Sequence, residues 1–303
     1  MKSIVTSNTT YTVIRYIPKL GIFIFLLGII LKANNRKLII DVPTPMTNHI
    51  NEILNNNNGI INRFFNIMII GIQGFIPFVS AYKIIQYANE SEWFSLFVKY
   101  KTVLIGNGVD VESIPIRKNT PCWPTQRFNF IAVGTVALWH GWDKIIDMIK
   151  ELEDESFTDF EIHITIVGDG PDLNKLKKQT KINNLENNIH FTGFLNGQKL
   201  YNEYKNAHFG LGSFGWERIG VTIASPIKSR EYLSAGIPFI YSTKDIDFNK
   251  DNKCAILIDD INFLKSFIKN LKYYKIQDSD SCRTFAKENL DFSIKVKQIL
   301  DGL

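Results

Sequence analysis

The sequence has few cysteines, little net charge and no long tract of a single charge sign. Its three cysteines, Cys122, Cys254 and Cys282, are scattered and odd in number, so they indicate neither a disulfide framework nor a zinc motif. We therefore expect a reducing compartment. The net charge is only +5 and Lys and Glu are interspersed, which excludes a basic arm for nucleic acid. A weakly basic surface still suits anionic partners such as phosphates or a membrane leaflet.

What is present is the composition of a globular protein. The chain has 303 residues, of which 45% are hydrophobic and 21% charged. That length accommodates two domains of ordinary size, each with its own core. Residues 37–42 and 102–106 are predicted strands, and residues 113–127, with three prolines, are typical of a linker.

Two long apolar stretches raise the question of a membrane. Residues 20–31 are too short for a helix that spans a bilayer, which needs about 20 residues, and no small-residue cleavage site of a signal peptide follows. Residues 64–82 are long enough, but Asn66, Gln73 and Pro77 interrupt them. We predict a buried helix, a break within residues 71–77 and then a buried strand. The alternative is a surface that touches a membrane.

From residue 128 onwards the chain has a regular rhythm of short apolar strands and amphipathic helices. Strands are predicted within residues 128–134, 160–168, 188–195, 208–215, 237–242 and 254–260, and helices at 143–154, 173–183, 198–207, 228–236 and 261–274. This alternation predicts a parallel, doubly wound sheet. The carboxyl ends of its strands, several followed by glycine, then lie along one edge, where such sheets bind ligands.

The segment SPIKSREYLSAGIPFI (225–240) places three charges where a helix begins at that edge. A helix N-terminus favours an anion, and Lys228 or Arg230 would add a clamp for phosphate. Glu231 only accepts hydrogen bonds, and a pair of sugar hydroxyls is its natural partner. Such a set would suit a nucleotide sugar. The alternative is an ordinary charged helix start with an internal ion pair, and these sixteen residues alone favour neither.

This segment resembles the donor-site signature of the family 4 retaining glycosyltransferases, which have the GT-B fold. Other stretches of the family occur in the same order: GNGVD (106–110), FIAVGTVALWHGWDKII (130–146), VGDGP (167–171), FTGF (191–194) and FAKENLDFSIKVKQIL (285–300). The last resembles a closing helix that crosses back to the first domain. The form KSREYL is most similar to enzymes of bacterial capsule or surface polysaccharide synthesis.

The resemblance implies an α/β protein with two Rossmann-like domains. Residues 1–124 would form an incomplete N-terminal domain on the acceptor side, since its opening strands and glycine-rich loop have no counterpart here. Residues 125–285 would be a doubly wound parallel sheet that binds the nucleotide-sugar donor, and residues 286–303 the C-terminal helix. We expect the chain either to be a naturally shortened homologue or to have lost its start.

The functional residues of the family match this chain unevenly. Glu231 corresponds to the carboxylate that holds the nucleotide ribose, but the usual glutamate eight positions earlier is Ile223. Two cations that contact the diphosphate are replaced by Thr135 and His140; His140 could donate to phosphate or be a loop histidine without a role. Asp169 is most simply a turn residue.

The resemblance gives a full set of candidate site residues. The candidate catalytic residues are His49, Arg218 and Lys228, the last two as replacements for the lost cations; His49, the only first-domain histidine, is as well explained by a surface loop. The candidate donor-binding residues are Gly134, Thr135, His140, Gly168, Gly193, Lys228, Arg230 and Glu231. No metal or other cofactor is expected, because no Asp-x-Asp motif is present and basic groups can stabilise the departing diphosphate.

Two hypotheses of function follow. The first is a retaining glycosyltransferase that moves a sugar from a nucleotide diphosphate donor to a lipid-linked or other saccharide acceptor in bacterial surface polysaccharide synthesis. Its expected location is the cytoplasm, with peripheral contact to the inner membrane surface as an option, and no nucleic acid as partner. The second is a truncated or degenerate relative that binds a nucleotide sugar or a partner without turnover.

Overall fold

The structure is a computed structural model and describes residues 9–43, 60–89, 98–117, 121, 126–155, 159–258 and 260–301. By its internal contacts the chain forms two compact units. Unit 1 comprises Met1–Ile105 and Val296–Leu303, and unit 2 comprises Gly106–Lys295. The predicted domain boundary at residue 124 lies outside the described residues and stays a prediction.

Unit 1 contains a parallel sheet of four strands in sequential order. The strands are β1 (Tyr11–Arg15), β2 (Lys37–Val42), β3 (Lys83–Gln86) and β4 (Thr102–Leu104). Helix α1 (Gly21–Ala33) connects β1 with β2, and helix α2 (Ile60–Ser80) precedes β3. Both helices pack into one apolar core with the sheet, to which Leu31, Ile40 and Phe78 contribute fully buried side chains.

Helix α2 differs from the prediction in two respects. It runs without a break through Gly71 and Pro77, whereas we expected the helix to end there. Pro77 lies in the last turn, so the one hydrogen bond that its missing N–H removes is followed by only three more helical residues. The helix is also not fully buried, since Phe64, Phe65 and Met68 are exposed. No helix among the described residues is both long and apolar enough to cross a membrane.

Unit 2 contains a parallel sheet of six strands that confirms the predicted doubly wound architecture. The strand order is β10-β9-β8-β5-β6-β7, with β5 (Arg127–Val133), β6 (Glu161–Val167), β7 (Ile189–Gly193), β8 (Phe209–Leu211), β9 (Phe239–Tyr241) and β10 (Ala255–Leu257). Strands β6 and β7 lie on one side of β5, and β8, β9 and β10 lie on the other. The direction in which successive strands are added to the sheet therefore reverses between β5 and β8.

Helices cover both faces of this sheet. They are α3 (Trp142–Asp154), α4 (Leu173–Ile182), α5 (Gly197–Tyr204), α6 (Ile227–Ser234), α7 (Ile261–Lys269) and α8 (Ser279–Asn289). Helices α3, α4 and α7 share one core with Phe128 and Phe130, and α5, α6 and α8 share the other core with Ile131. Neighbouring residues of β5 thus face opposite cores, as the alternation of side chains along a strand requires.

The C-terminal segment is two helices rather than one closing helix. Helix α8 ends at Asn289 and helix α9 (Phe292–Asp301) follows after a short interruption. Asp291 breaks the helix because its backbone pairs with Val109 while its carboxylate accepts from the N–H of Ser293 and so caps α9.

Candidate functional site

The reversal of the sheet between β5 and β8 marks the place where a ligand is expected. Crossover connections leave these two strands towards opposite faces, so a crevice is expected at their carboxyl ends. Gly134 follows β5 directly, and Gly212 and Ser213 follow β8. The sequence-predicted residues Lys228 and His140 also lie here, because each contacts a residue at one of these strand ends.

Backbone lines the β5 side of this crevice. Gly134 has φ +147° and Gly168, after β6, has φ +143°. A Cβ atom on Gly168 would lie 1.9 Å from the carbonyl oxygen of Gly134, so no side chain fits between the two loops. Gly193, at the end of β7, lies at the same edge of the sheet and also lacks a side chain. A Cβ atom there would meet nothing within 4 Å. The N–H groups of Gly134 and Gly168 donate to the carbonyl oxygens of Val167 and Gly193, so what these glycines offer a ligand is close approach to the backbone.

Lys228 is the buried cation of the site. It lies in the first turn of α6, is 7% exposed, and its Nζ donates to Nδ1 of His140 at 2.9 Å and to the carbonyl oxygen of Gly212 at 3.2 Å. The ammonium also lies 4.9 Å from the centre of the Trp142 ring. These contacts aim the side chain at the strand ends without giving it an anionic partner.

His140 holds Lys228 in place. Its ring stacks on Trp142 with centroids 4.5 Å apart, and Nδ1 also lies 2.8 Å from Oγ of Ser213. The ring bonds to the backbone of Thr135, beside Gly134. Two donors at Nδ1 and a backbone acceptor on the other side fit the neutral tautomer with its proton on Nε2.

Burial controls the protonation of both groups. It lowers the pKa of His140 to about 2, with the neighbouring Lys228 as a second cause. Burial alone lowers the pKa of Lys228 well below its usual value. His140 is therefore a neutral hydrogen-bonding group at physiological pH, and the ammonium form of Lys228 is destabilised until an anion arrives.

Glu231 lies one turn after Lys228 on the same face of α6. It is partly buried, and burial raises the pKa of its carboxyl group. Within the part of the chain that the structure describes, no hydrogen-bond donor or cation pairs with Glu231. A desolvated carboxylate without a partner is costly, so this position favours a ligand that brings hydroxyl groups.

Arg230 does not lie with these residues, in contrast to the expected phosphate clamp. Its guanidinium is fully buried, pairs with both oxygens of Asp245, contacts Asp247 at 2.5 Å and donates to the carbonyl oxygen of Asn107. The side chain points away from Lys228 and Glu231 because successive helix positions are rotated by about 100°. It has no free edge for a ligand.

Arg218 is also engaged by protein. It lies in the short helix Trp216–Ile219 and forms two hydrogen bonds of 2.8 Å with the carboxylate of Asp143, at the start of α3. A further bond to the carbonyl oxygen of Leu138 holds it against the loop that carries His140. Its visible role is to fix that loop.

Thr135 and Asp169 each follow one of the glycines at the strand ends. Thr135 is exposed beside Gly134, and the carboxylate of Asp169 accepts from the N–H of Gly170, as expected for a turn residue. His49 lies outside the described residues, as does Cys122. Sequence reasoning missed Trp142 and Ser213; the run WHGW (139–142) was the available signal for the first. No cluster that could hold a metal ion occurs among the described residues.

A family model matches most of the unit that carries the site. Residues 115–262 match the family model described as glycosyl transferases group 1. No curated protein gives a significant match over the sequence.

Solved structures agree on the fold. The lipopolysaccharide outer core galactosyltransferase WaaB has a TM-score of 0.65 at 14% identity, covering 100% of this chain and 78% of that one. Sucrose-phosphate synthase from Thermosynechococcus elongatus has a TM-score of 0.62 at 12% identity, covering 99% and 74%. A mutant of S. aureus TarM, in complex with fondaparinux, α-GlcNAc-glycerol and UDP, has a TM-score of 0.56 at 12% identity, covering 88% of this chain and 50% of its own.

Proposed function

We propose, from the premise that this chain belongs to the group 1 glycosyltransferases with the GT-B fold, that unit 2 binds a nucleotide-sugar donor. The chain would transfer the sugar, with retention of configuration, to a lipid-linked saccharide in bacterial surface polysaccharide synthesis. One observation carries the proposal: Lys228 contacts the end of β8, where the strand order reverses, and Glu231 follows it one turn later on α6. Neither has an ionic partner among the described residues.

Each part of the nucleotide has a matching group. The diphosphate would lie over the peptide groups around Gly134 and Gly168, with Lys228 as counter-charge. Glu231 would accept hydrogen bonds from the two ribose hydroxyls. Bare backbone suits the diphosphate because side chains would keep the phosphate oxygens at a distance.

The same groups would assist the chemical step. The bond between the anomeric carbon and the diphosphate breaks, a bond from the acceptor hydroxyl forms on the same face of the sugar, and the departing phosphate takes the hydroxyl proton. Negative charge grows on the diphosphate during this step, so an ammonium group held at Lys228 stabilises the transition state more than the ground state. His140 contributes by fixing the direction of that ammonium group.

The comparisons support the substrate classes. The TarM structure contains UDP together with a sugar derivative, α-GlcNAc-glycerol, and WaaB acts on the outer core of lipopolysaccharide. A nucleoside diphosphate and a cell-surface saccharide are therefore the partners that we propose for this chain.

A surface of unit 1 supports contact with a membrane. Ile22, Phe23, Leu26, Ile29 and Ile30 of α1 are all more than 40% exposed and form one stripe along the helix. Lys19 and Lys32 flank the stripe at its two ends. Exposed apolar residues between lysines suit an interface with anionic lipid headgroups, so we propose that this stripe docks the protein on the inner face of the membrane.

A second candidate function rests on Ile223. The family usually has a glutamate at this position that touches the donor sugar, and the side chain of Ile223 cannot accept a hydrogen bond there. A chain that binds nucleotide but does not orient the sugar would be a binding protein without turnover. Release of UDP from UDP-sugars, measured with and without saccharide acceptors, separates the two functions.

Calorimetric titration of the full chain with UDP and with GDP, each with and without a chelator, tests donor binding. We expect heat with one nucleotide, unchanged by the chelator. Lys228→Met should abolish the heat, whereas Lys199→Met, which removes an exposed lysine of α5, should leave it unchanged. Absence of heat with both nucleotides would overturn the proposal.

A further inference from the structure

Asp247 is the point where distant segments of unit 2 meet. One carboxylate oxygen contacts Arg230 at 2.5 Å, and the other contacts the ammonium group of Lys295 at 2.5 Å. The same carboxylate closes over Gly106, where a Cβ atom would lie 1.6 Å from Oδ2. A single side chain therefore contacts α6, α9 and the segment that follows β4.

Two of these contacts lie where the chain crosses between the units. Gly106 is the first residue of unit 2 and Lys295 is its last. The two crossing segments are also joined by their backbones, since Val109 donates to the carbonyl oxygen of Leu290 and Phe292 donates to that of Val109. Asp247 thus contacts both segments that connect the units and links them to the rest of unit 2.

The third contact leads to the donor site. Arg230 lies between Lys228 and Glu231 in sequence, on the opposite side of α6. Its guanidinium also donates to the carbonyl oxygen of Asn107, and the N–H of Asn107 donates to Oγ of Ser225 at 2.6 Å. Ser225 precedes α6, so the start of this helix is tied to residues 106–107 from two sides.

The four charged side chains of this network are buried. The side chains of Arg230, Asp245, Asp247 and Lys295 are 0, 2, 10 and 4% exposed, respectively, and supply two positive and two negative charges. Well-packed apolar residues would often be equally stable in such a place, so stability alone is a weak reason for these charges. What ionic pairs add is a fixed mutual orientation of the elements that they join.

We propose that Asp247 and Arg230 are positioning residues of the donor site. They hold α6, and with it Lys228 and Glu231, in a fixed orientation relative to both segments that connect unit 2 with unit 1. A displacement of either segment is then passed to the two ligand-binding side chains. This inference rests on the proposed function for its ligand, but not for the linkage itself.

Hydrogen exchange of the ligand-free protein tests the linkage. Asp247→Asn keeps the shape of the side chain and removes its charge. We expect faster amide exchange in three places together, at residues 106–110, in α6 and at residues 290–296. Faster exchange confined to residues 245–249 would overturn the inference. Should Asp247→Asn not fold, Lys295→Met, which leaves the contact between Asp247 and Arg230 in place, is expected to give the same pattern more weakly.

Nucleotide affinity tests the positioning role. Asp247→Asn should weaken binding of UDP, or of GDP if the chain prefers it, by about two- to tenfold, although Asp247 touches no ligand. Ile268→Val, in the core on the other side of the sheet, is the control for destabilisation and should leave affinity unchanged. Unchanged affinity in Asp247→Asn would contradict the positioning role. If the wild type binds neither nucleotide, the proposed function fails, and the exchange pattern still decides the linkage.

Discussion

The ammonium nitrogen of Lys228 lies 2.9 Å from Nδ1 of His140, and within the described residues no carboxylate pairs with it. A buried cation whose partners are an imidazole, a carbonyl group and an aromatic ring has little to offset its lost hydration. This arrangement lowers the stability of the free protein and leaves a strong attraction for an incoming anion. The nucleotide binding that we propose would therefore be gained at the expense of stability at this residue.

The first prediction is that Lys228→Met stabilises the protein and abolishes nucleotide binding. Methionine fills similar volume without a buried charge, so the free energy of unfolding should rise by about 0.5–2 kcal/mol at neutral pH. Urea denaturation measures the first effect and calorimetry the second. A loss of stability in Lys228→Met would show that the ammonium group is well paired in the protein.

The second prediction concerns acid stability through His140. Burial and Lys228 lower its pKa in the folded state to about 2, against 6.5 for an ordinary histidine. Between these values the unfolded chain binds a proton that the folded chain does not, so stability falls as pH falls below 6.5, by at most about 1.4 kcal/mol per pH unit. Urea denaturation at about pH 5 and pH 7 should show a smaller difference in His140→Gln than in the wild type. Equal differences would contradict the buried neutral histidine.

The third prediction is that nucleotide binding takes up a proton. Burial lowers the pKa of Lys228 in the free protein, and a bound diphosphate would raise it again. Affinity should therefore fall as pH rises between these two values. Titrations at about pH 8, where phosphate groups are fully ionised, should give different heats in buffers of different ionisation enthalpy. Heats that do not depend on the buffer would exclude proton uptake.

The fourth prediction separates the role of Glu231 from that of Lys228. Glu231→Gln should weaken nucleotide binding by about 1.5–3 kcal/mol, the range for hydrogen bonds to a charged group. Because burial raises the pKa of Glu231, its charge is unfavourable in the free protein, and the amide should not lower stability. The deoxyribose analogue dUDP tests the assignment, since it should bind the wild type more weakly but lose little further affinity in Glu231→Gln. An undiminished preference for UDP in the variant would place the ribose elsewhere.

The doubly wound sheet could be predicted because its signal is local. Each strand from β5 to β10 is a short apolar run, and each helix between them has one apolar face, so the pattern alone favours a parallel α/β architecture. The helix at the start of α2 was predicted, but its continuation was missed for the same reason. Gly71 and Pro77 are local break signals, whereas the packing of α2 with α1 and the sheet depends on distant residues.

The roles of the three charges at the start of α6 depended on distant partners. The sequence alone does not distinguish the roles of Lys228, Arg230 and Glu231. Arg230 becomes a buried structural cation only because β9 and the following loop bring Asp245 and Asp247 to it. No sequence pattern near Arg230 predicts that pairing.

The fifth prediction concerns the stripe on α1. Phe23 is 59% exposed and lies within this stripe, so its ring should enter the headgroup region when the protein binds a membrane. Phe23→Ser should lower binding to vesicles that contain phosphatidylglycerol by about tenfold or more, because the free energy gained by burying one aromatic ring is lost. The stability of the protein should not change. Phe263 in unit 2 is also 59% exposed, and Phe263→Ser is the matched control that should bind as well as the wild type.

Binding should be weaker to vesicles of phosphatidylcholine alone, because Lys19 and Lys32 attract anionic headgroups. Equal losses in the two variants would assign membrane binding to general apolar exposure. A dimer in size exclusion that Phe23→Ser dissociates would show that a second copy of the chain covers the stripe instead.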